Sequence, residues 1–90
     1  MRNINSIRKD IEKTDKKIQK FFLKRMSLVK EMKTAKDELN IPYFDKERED
    51  YLKEKYSKDL KEYKNLYLEF LDNILALSKK YMMEGEKNEA

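Results

Sequence analysis

Residues 4–39, INSIRKDIEKTDKKIQKFFLKRMSLVKEMKTAKDEL, carry apolar side chains at helical spacing for about ten turns without a Gly or a Pro. One track steps three and four alternately through Ile4, Ile7, Ile11, Thr14, Ile18, Phe21, Arg25, Leu28, Met32, Ala35 and Leu39. Beside it runs a second: Arg8, Ile11, Asp15, Ile18, Phe22, Arg25, Val29, Met32 and Lys36. Together they predict one long helix with a broad buried stripe, and charges lie in that stripe. A buried cation is costly unless paired, so Arg8, Arg25 and Lys36 ask for an anion that Asp15 alone cannot supply. Any one of them taken singly can snorkel to the rim. Three on one face ask for more.

Working outward, Asn3 or Asn5 can cap this helix, which runs to about Leu39. Asn40 suits the position just past a helix end, and Pro42 forbids continuation and makes Ile41 extended. The loop Asn40-Ile41-Pro42-Tyr43-Phe44 is apolar enough to fold down onto a core or a pocket. Asp45 reads as the N-cap of a second helix, Lys46 to about Tyr56, with Glu47 in its first turn and Tyr51, Leu52 and Tyr56 on its inner face. Ser57 and Asp59 give a weak capping signal, so a break near Lys58 is expected. A third helix follows, about Asp59 to Glu84, on the track Leu60, Tyr63, Tyr67, Phe70, Ile74, Leu77 and Tyr81. Gly85 ends it, and residues 86–90 form a polar tail expected to be disordered.

The fold class is therefore all-α: three helices (long, short, long) in one domain over residues 1–84, followed by the tail 85–90. A helix of about 36 residues is roughly 54 Å long, far longer than a compact domain of this size is wide. The rest of the chain is too short to cover it, which predicts an intertwined homodimer with the long helices packed together. A plain coiled coil also explains the tracks, yet it needs neither the Pro42 loop nor the charges in the stripe.

The chain has no Cys and no His, so disulfides, thiol chemistry, the usual general base and the commonest transition-metal ligand are all missing. No metal and no cofactor are expected, and any catalysis must rest on positioning and charge. The 22 basic and 18 acidic residues alternate along the chain and leave a net charge of +4. That pattern reads as a solvated helical surface and not as a nucleic-acid footprint, although it draws in a small anion. Met1-Arg2-Asn3-Ile4 lacks the apolar core of a signal peptide, and nowhere do about 18 apolar residues run together. A soluble, cytoplasmic protein without a membrane partner is the expectation.

The order Arg8, Arg25, Lys36, Asp45, Arg48, Glu49 resembles the all-helical chorismate mutases. The likeness is carried by the opening Ile-Arg-x-x-Ile-x-x-x-Asp pattern from Ile7 to Asp15, the interval from Arg25 to Lys36, and the Pro-x-x-Asp-x-x-Arg-Glu run from Pro42 to Glu49. It spans about Ile4 to Met83. Each piece alone is weak, but the ordered set at matching intervals is specific. On a straight helix Arg25 and Lys36 lie on nearly one line, roughly 16 Å apart, so two long side chains can reach one small ligand. Arg8 is about 25 Å from Arg25 along the same helix and cannot join them in cis. In an antiparallel dimer, Arg8 of one copy meets Arg25 and Lys36 of the other.

The resemblance implies an isomerase of aromatic amino acid biosynthesis (the shikimate pathway) that rearranges chorismate to prephenate. The reaction needs no nucleophile and no proton transfer. Catalysis there comes from holding a dicarboxylate in a reactive conformer and facing its ether oxygen with cations. It further implies that Arg25 and the second copy's Arg8 bind the carboxylates and that Lys36 donates to the ether oxygen. Glu49 would accept from the ring hydroxyl, with Asp45 close by and Arg48 supporting the pocket. Ser78, in Leu77-Ser78-Lys79-Lys80-Tyr81, matches the family's serine. Against these roles stand ordinary ones: Asp45 as an N-cap, Arg48 and Glu49 as an exposed pair, Ser78 as a tolerated small residue.

One departure stands out. Four residues after Ser78, where the family carries Gln or Glu, this chain has Met82, and a thioether offers no useful donor. Losing one such donor typically costs about 3 kcal/mol. A register with Ile74 at the serine position and Ser78 at the glutamine position also lacks the glutamine. Two other readings stay open: a mutase-like helical module that binds with weak or no turnover, and a lyase acting on isochorismate in the same cationic pocket.

Overall fold

The computed structural model describes residues 1–84, so Gly85 and the polar tail lie outside the described residues. Helix α1 spans Ile4–Leu39, and of the two candidate caps it uses Asn3, whose side-chain oxygen accepts from the Ser6 N–H at 2.8 Å. At the other end Asn40 sits in the left-handed region (φ 59, ψ 42). Its N–H donates to the Asp37 carbonyl at 3.3 Å and the Ile41 N–H to the Lys36 carbonyl at 2.9 Å. This paired closure satisfies carbonyls that the last turn would leave bare, and Asn tolerates the left-handed backbone it needs.

Helix α2 spans Lys46–Lys55, with Asp45 Oδ1 accepting from the Arg48 N–H at 3.0 Å. Glu47 and Glu49 in its first turn and Lys53 and Lys55 in its last all favour the helix dipole. The third helix begins later than expected. Asp59 and Lys61 have φ of 61° and 53°, and a right-handed helix cannot pass through residues in that region. The chain instead makes a short 3-10 turn at Lys61–Tyr63 and enters helix α3 at Lys64–Glu84. Ser57 does not cap that helix; its hydroxyl closes the end of α2 by donating to the Glu54 carbonyl at 2.9 Å.

Helix α3 folds back on the C-terminal half of α1 and on α2. Val29 from α1 and Leu71 and Met82 from α3 are the buried apolar side chains, and Ser78 is buried among them. Lys53 Nζ and Asp72, 2.8 Å apart, link α2 to α3 at the surface. With 21 residues, α3 is about 32 Å long and leaves much of α1 uncovered.

The stripe expected to be buried is consequently bare in the single chain. Ile11 is 52% exposed and Phe21 62%, and Ile4, Ile7, Ile18, Phe22, Leu28 and Met32 are exposed with them. The outline measures 55 × 32 × 15 Å. The radius of gyration is 16.7 Å, against about 12 Å for a compact domain of this length. The chain exposes 8244 Å², whereas a compact protein of its mass exposes about 5,600 Å².

Because Asn40 holds a left-handed φ, Asn40→Ala is expected to lower stability by about 1 kcal/mol in urea unfolding at fixed protein concentration, and Asn40→Gly to leave it equal or higher. Equal stability of the alanine variant would count against this account of the α1 terminus.

Candidate active site

A cleft of about 310 Å³ opens between the C-terminal half of α1, the 40–45 loop, the first turns of α2 and the end of α3. Its walls hold Arg25, Lys36, Asp45, Arg48, Glu49, Ser78 and Met82, the residues singled out from the sequence apart from Arg8. Arg8 lies 17 positions before Arg25 on the exposed part of α1, about 25 Å away along the axis. Leu28, Val29, Met32, Leu52 and Leu75 make the cleft apolar between its charges.

Arg25 is half-buried, and burial lowers its pKa while the charge of Tyr67 works the other way. A guanidinium stays charged even so. Its Nη1 donates to the Ser78 hydroxyl, which in turn donates to the Ile74 carbonyl at 3.0 Å. The hydroxyl proton is thereby committed and a lone pair faces the guanidinium. Ile74 itself does not line this cleft, whereas Ser78 and Met82 both do, which favours the register with Ser78 at the serine position.

Lys36 Nζ donates to the Tyr43 carbonyl at 3.0 Å. Tyr43 is tied back to α1, because its hydroxyl donates to Asp37 Oδ1, Lys33 Nζ pairs with Asp37 Oδ2 at 3.0 Å, and the same ammonium lies 5.4 Å from the Tyr43 ring centre. The apolar loop folds down only in part: Tyr43 is half-buried and lines the cleft wall with Phe44, while Ile41, Pro42 and much of Phe44 stay exposed. Arg48 lies over the Tyr51 ring at 5.1 Å, and Lys79 Nζ over the Phe44 ring at 3.9 Å.

Among the described residues, no carboxylate comes within ion-pair distance of Arg25, Lys36, Arg48 or Lys79. Four cations against the carboxylates of Asp45 and Glu49 leave the cleft at +2. Such a site suits a small dianion with an apolar body. Among the described residues it has no activated nucleophile, since the Ser78 hydroxyl faces the Arg25 guanidinium and no base. Among the described residues no group of three or more His, Cys, Asp or Glu could hold a metal ion.

Sequence reasoning passed over Tyr43 and Lys79 as site residues. Lys79 was open to detection: it is four after Leu75 and three before Met82, the spacing of one helical face. Tyr43 gave no such signal, because its carbonyl does the work and any residue has one.

A family model described as chorismate mutase type II matches residues 7–83. The chain is 33% identical over 87 residues to a protein named chorismate mutase from Methanocaldococcus jannaschii, covering 89% of this chain and 88% of that one. No solved structure matches it significantly.

The Tyr43–Asp37 bond has a pH signature. It holds Asp37 below its ordinary 3.8, with Lys33 helping, and raises Tyr43 above its ordinary 10.0. The clamp's stabilisation is therefore present between those ordinary values. It is lost as pH falls through Asp37's depressed pKa or rises through Tyr43's raised one. Among the six tyrosines, the tyrosinate absorbance missing from Tyr43→Phe should titrate above 10.0. Asp37→Asn should bring it back towards that value; a wild-type difference titrating at the ordinary value would rule the clamp out.

Proposed function

This chain belongs to the type II chorismate mutase family, and from that we propose that its cleft rearranges chorismate to prephenate in a site completed by a second copy of the chain. The observation that carries the reading is the +2 cleft, in which seven of the eight residues singled out stand together. The substrate is a dicarboxylate, and Arg25 can grip one carboxylate in the bidentate manner that a lysine cannot. In the rearrangement the ring carbon–oxygen bond breaks as a carbon–carbon bond forms between the enolpyruvyl methylene and the ring. The ether oxygen becomes the keto oxygen of the product. Electrons move only within the substrate and no proton is transferred, so a site without His or Cys suffices.

Lys36, held at the cleft by the Tyr43 carbonyl, faces the ether oxygen and stabilises the charge that builds there. Glu49 accepts from the ring hydroxyl. Asp45 works from the cap of α2, and Arg48, stacked on Tyr51, supports the wall. The second carboxylate falls to Arg8 of the other copy. The bare stripe on α1 supports that pairing, as does the surface each chain exposes, about 2,600 Å² beyond a compact protein's, or about 5,200 Å² over two copies, at the upper end of what obligate dimers bury. Among the described residues no helix is long and apolar enough to cross a membrane. We place the activity in the cytoplasm, in a domain of residues 1–84, with phenylalanine and tyrosine synthesis as its setting.

Buried Met82 at the cleft favours one other reading, a protein that binds the dicarboxylate without turning it over. Chorismate disappearance followed by absorbance separates the two. Turnover is expected, with Arg25→Ala or Lys36→Ala lowering it at least about a hundredfold and Met82→Gln raising it about tenfold. Flat absorbance at high enzyme concentration, together with tight binding of a bicyclic dicarboxylate, leaves the binding module instead.

The shared site has its own test. Arg8→Ala and Lys36→Ala chains, each inactive alone, should recover about a quarter of wild-type activity when unfolded together and refolded as a mixture, because half the dimers then hold one intact site of two. No recovery argues that each chain works alone.

A further inference from the structure

We propose that Lys79 is a catalytic residue of this cleft, its ammonium donating to the substrate's ether oxygen in place of the side chain that Met82 cannot supply. The inference rests on the mutase reading and names which group of α3 acts in it. Of the described α3 residues in the cleft wall, Leu75 and Met82 have no proton to give, and the Ser78 hydroxyl proton is committed to the Ile74 carbonyl at 3.0 Å. Lys79 is the donor left on that wall.

Its placement fits the task. Lys79 precedes Met82 by three residues, about 4.5 Å along the helix, so the two share a face and a lysine stem spans the distance between them. An exposed lysine is free to extend into water, yet Lys79 Nζ lies 3.9 Å from the centre of the Phe44 ring, which itself lines the cleft. The ring holds the ammonium at the mouth without neutralising it. Among the described residues no carboxylate competes for it.

Phe44 follows Tyr43, whose carbonyl receives Lys36. Two ammonium groups, one from α1 and one from α3, therefore contact consecutive residues of one loop that lines the cleft. When the dianion enters, Lys79 leaves the ring for the ether oxygen and keeps its proton throughout. The carbon–oxygen bond breaks and the carbon–carbon bond forms between two charges instead of beside one.

The test is steady-state chorismate turnover by wild type, Lys79→Met, Met82→Gln and the double variant, with Lys36→Ala as reference. Lys79→Met is expected to lower kcat at least about tenfold with little change in KM, and Lys79→Arg to recover most of the loss. In the Met82→Gln background the same substitution should cost less than about threefold, since the amide then donates. Lys79 is exposed, so its loss leaves the core intact; Lys79→Ala checks that the result is not peculiar to methionine, and helical circular dichroism confirms folding.

Equal kcat in wild type and Lys79→Met overturns the proposal, and an inactive Lys36→Ala beside it leaves the mutase reading standing. A loss of the same size in both backgrounds also overturns it, because Lys79 would then act somewhere other than the place Met82 leaves. No turnover by wild type removes both readings together.

Discussion

A guanidinium drawn partly out of water has to be answered by something, and Arg25 is answered by a hydroxyl where a carboxylate would have neutralised it. Much of the cleft follows from that choice. The hydroxyl accepts from the guanidinium while Ser78 donates its own hydrogen bond to the Ile74 carbonyl, a bond open to a serine on a helix. Ser78 is buried with Leu71 and Met82, so the bond sits in the small core where water competes least. The charge of Arg25 is oriented and left uncancelled, which is the state in which it can meet an anion from outside.

The second anchor is made of backbone. Lys36 reaches the Tyr43 carbonyl, and Tyr43 is fastened to α1 through Asp37 and Lys33. A lysine is flexible on its own, and here the loop after α1 fixes where its ammonium rests. Positioning of this kind is what a rearrangement within one molecule requires, because the enzyme has geometry and charge to offer and little else.

Local signals were the legible part of the sequence. Asn3, Asn40, Pro42 and Asp45 marked helix ends through side-chain and backbone chemistry that acts over three or four residues, and each acts where expected. Arg25, Lys36, Asp45, Arg48, Glu49, Ser78 and Met82 were legible as one set because their order and spacing were distinctive, and they line one cleft. The start of α3 was not legible. Leu60 and Tyr63 continue a helical track, but the left-handed backbone at Asp59 and Lys61 answers to where α3 must return against α1, which no short window records. Lys79 shares a helical face with Leu75 and Met82 in the sequence, but its place at the cleft shows only once the Phe44 ring is set beneath it.

The way α1 ends has a bearing on how the connection to α2 can vary. Lys36 gives its carbonyl to the Ile41 N–H and its ammonium to the Tyr43 carbonyl, so one residue grips the departing strand of chain at two points two positions apart. Surface connections ordinarily accept an extra residue at slight entropic cost. Here an insertion between Ile41 and Tyr43 breaks the match between those grips, so the segment from Asn40 to Asp45 is closed to changes of length.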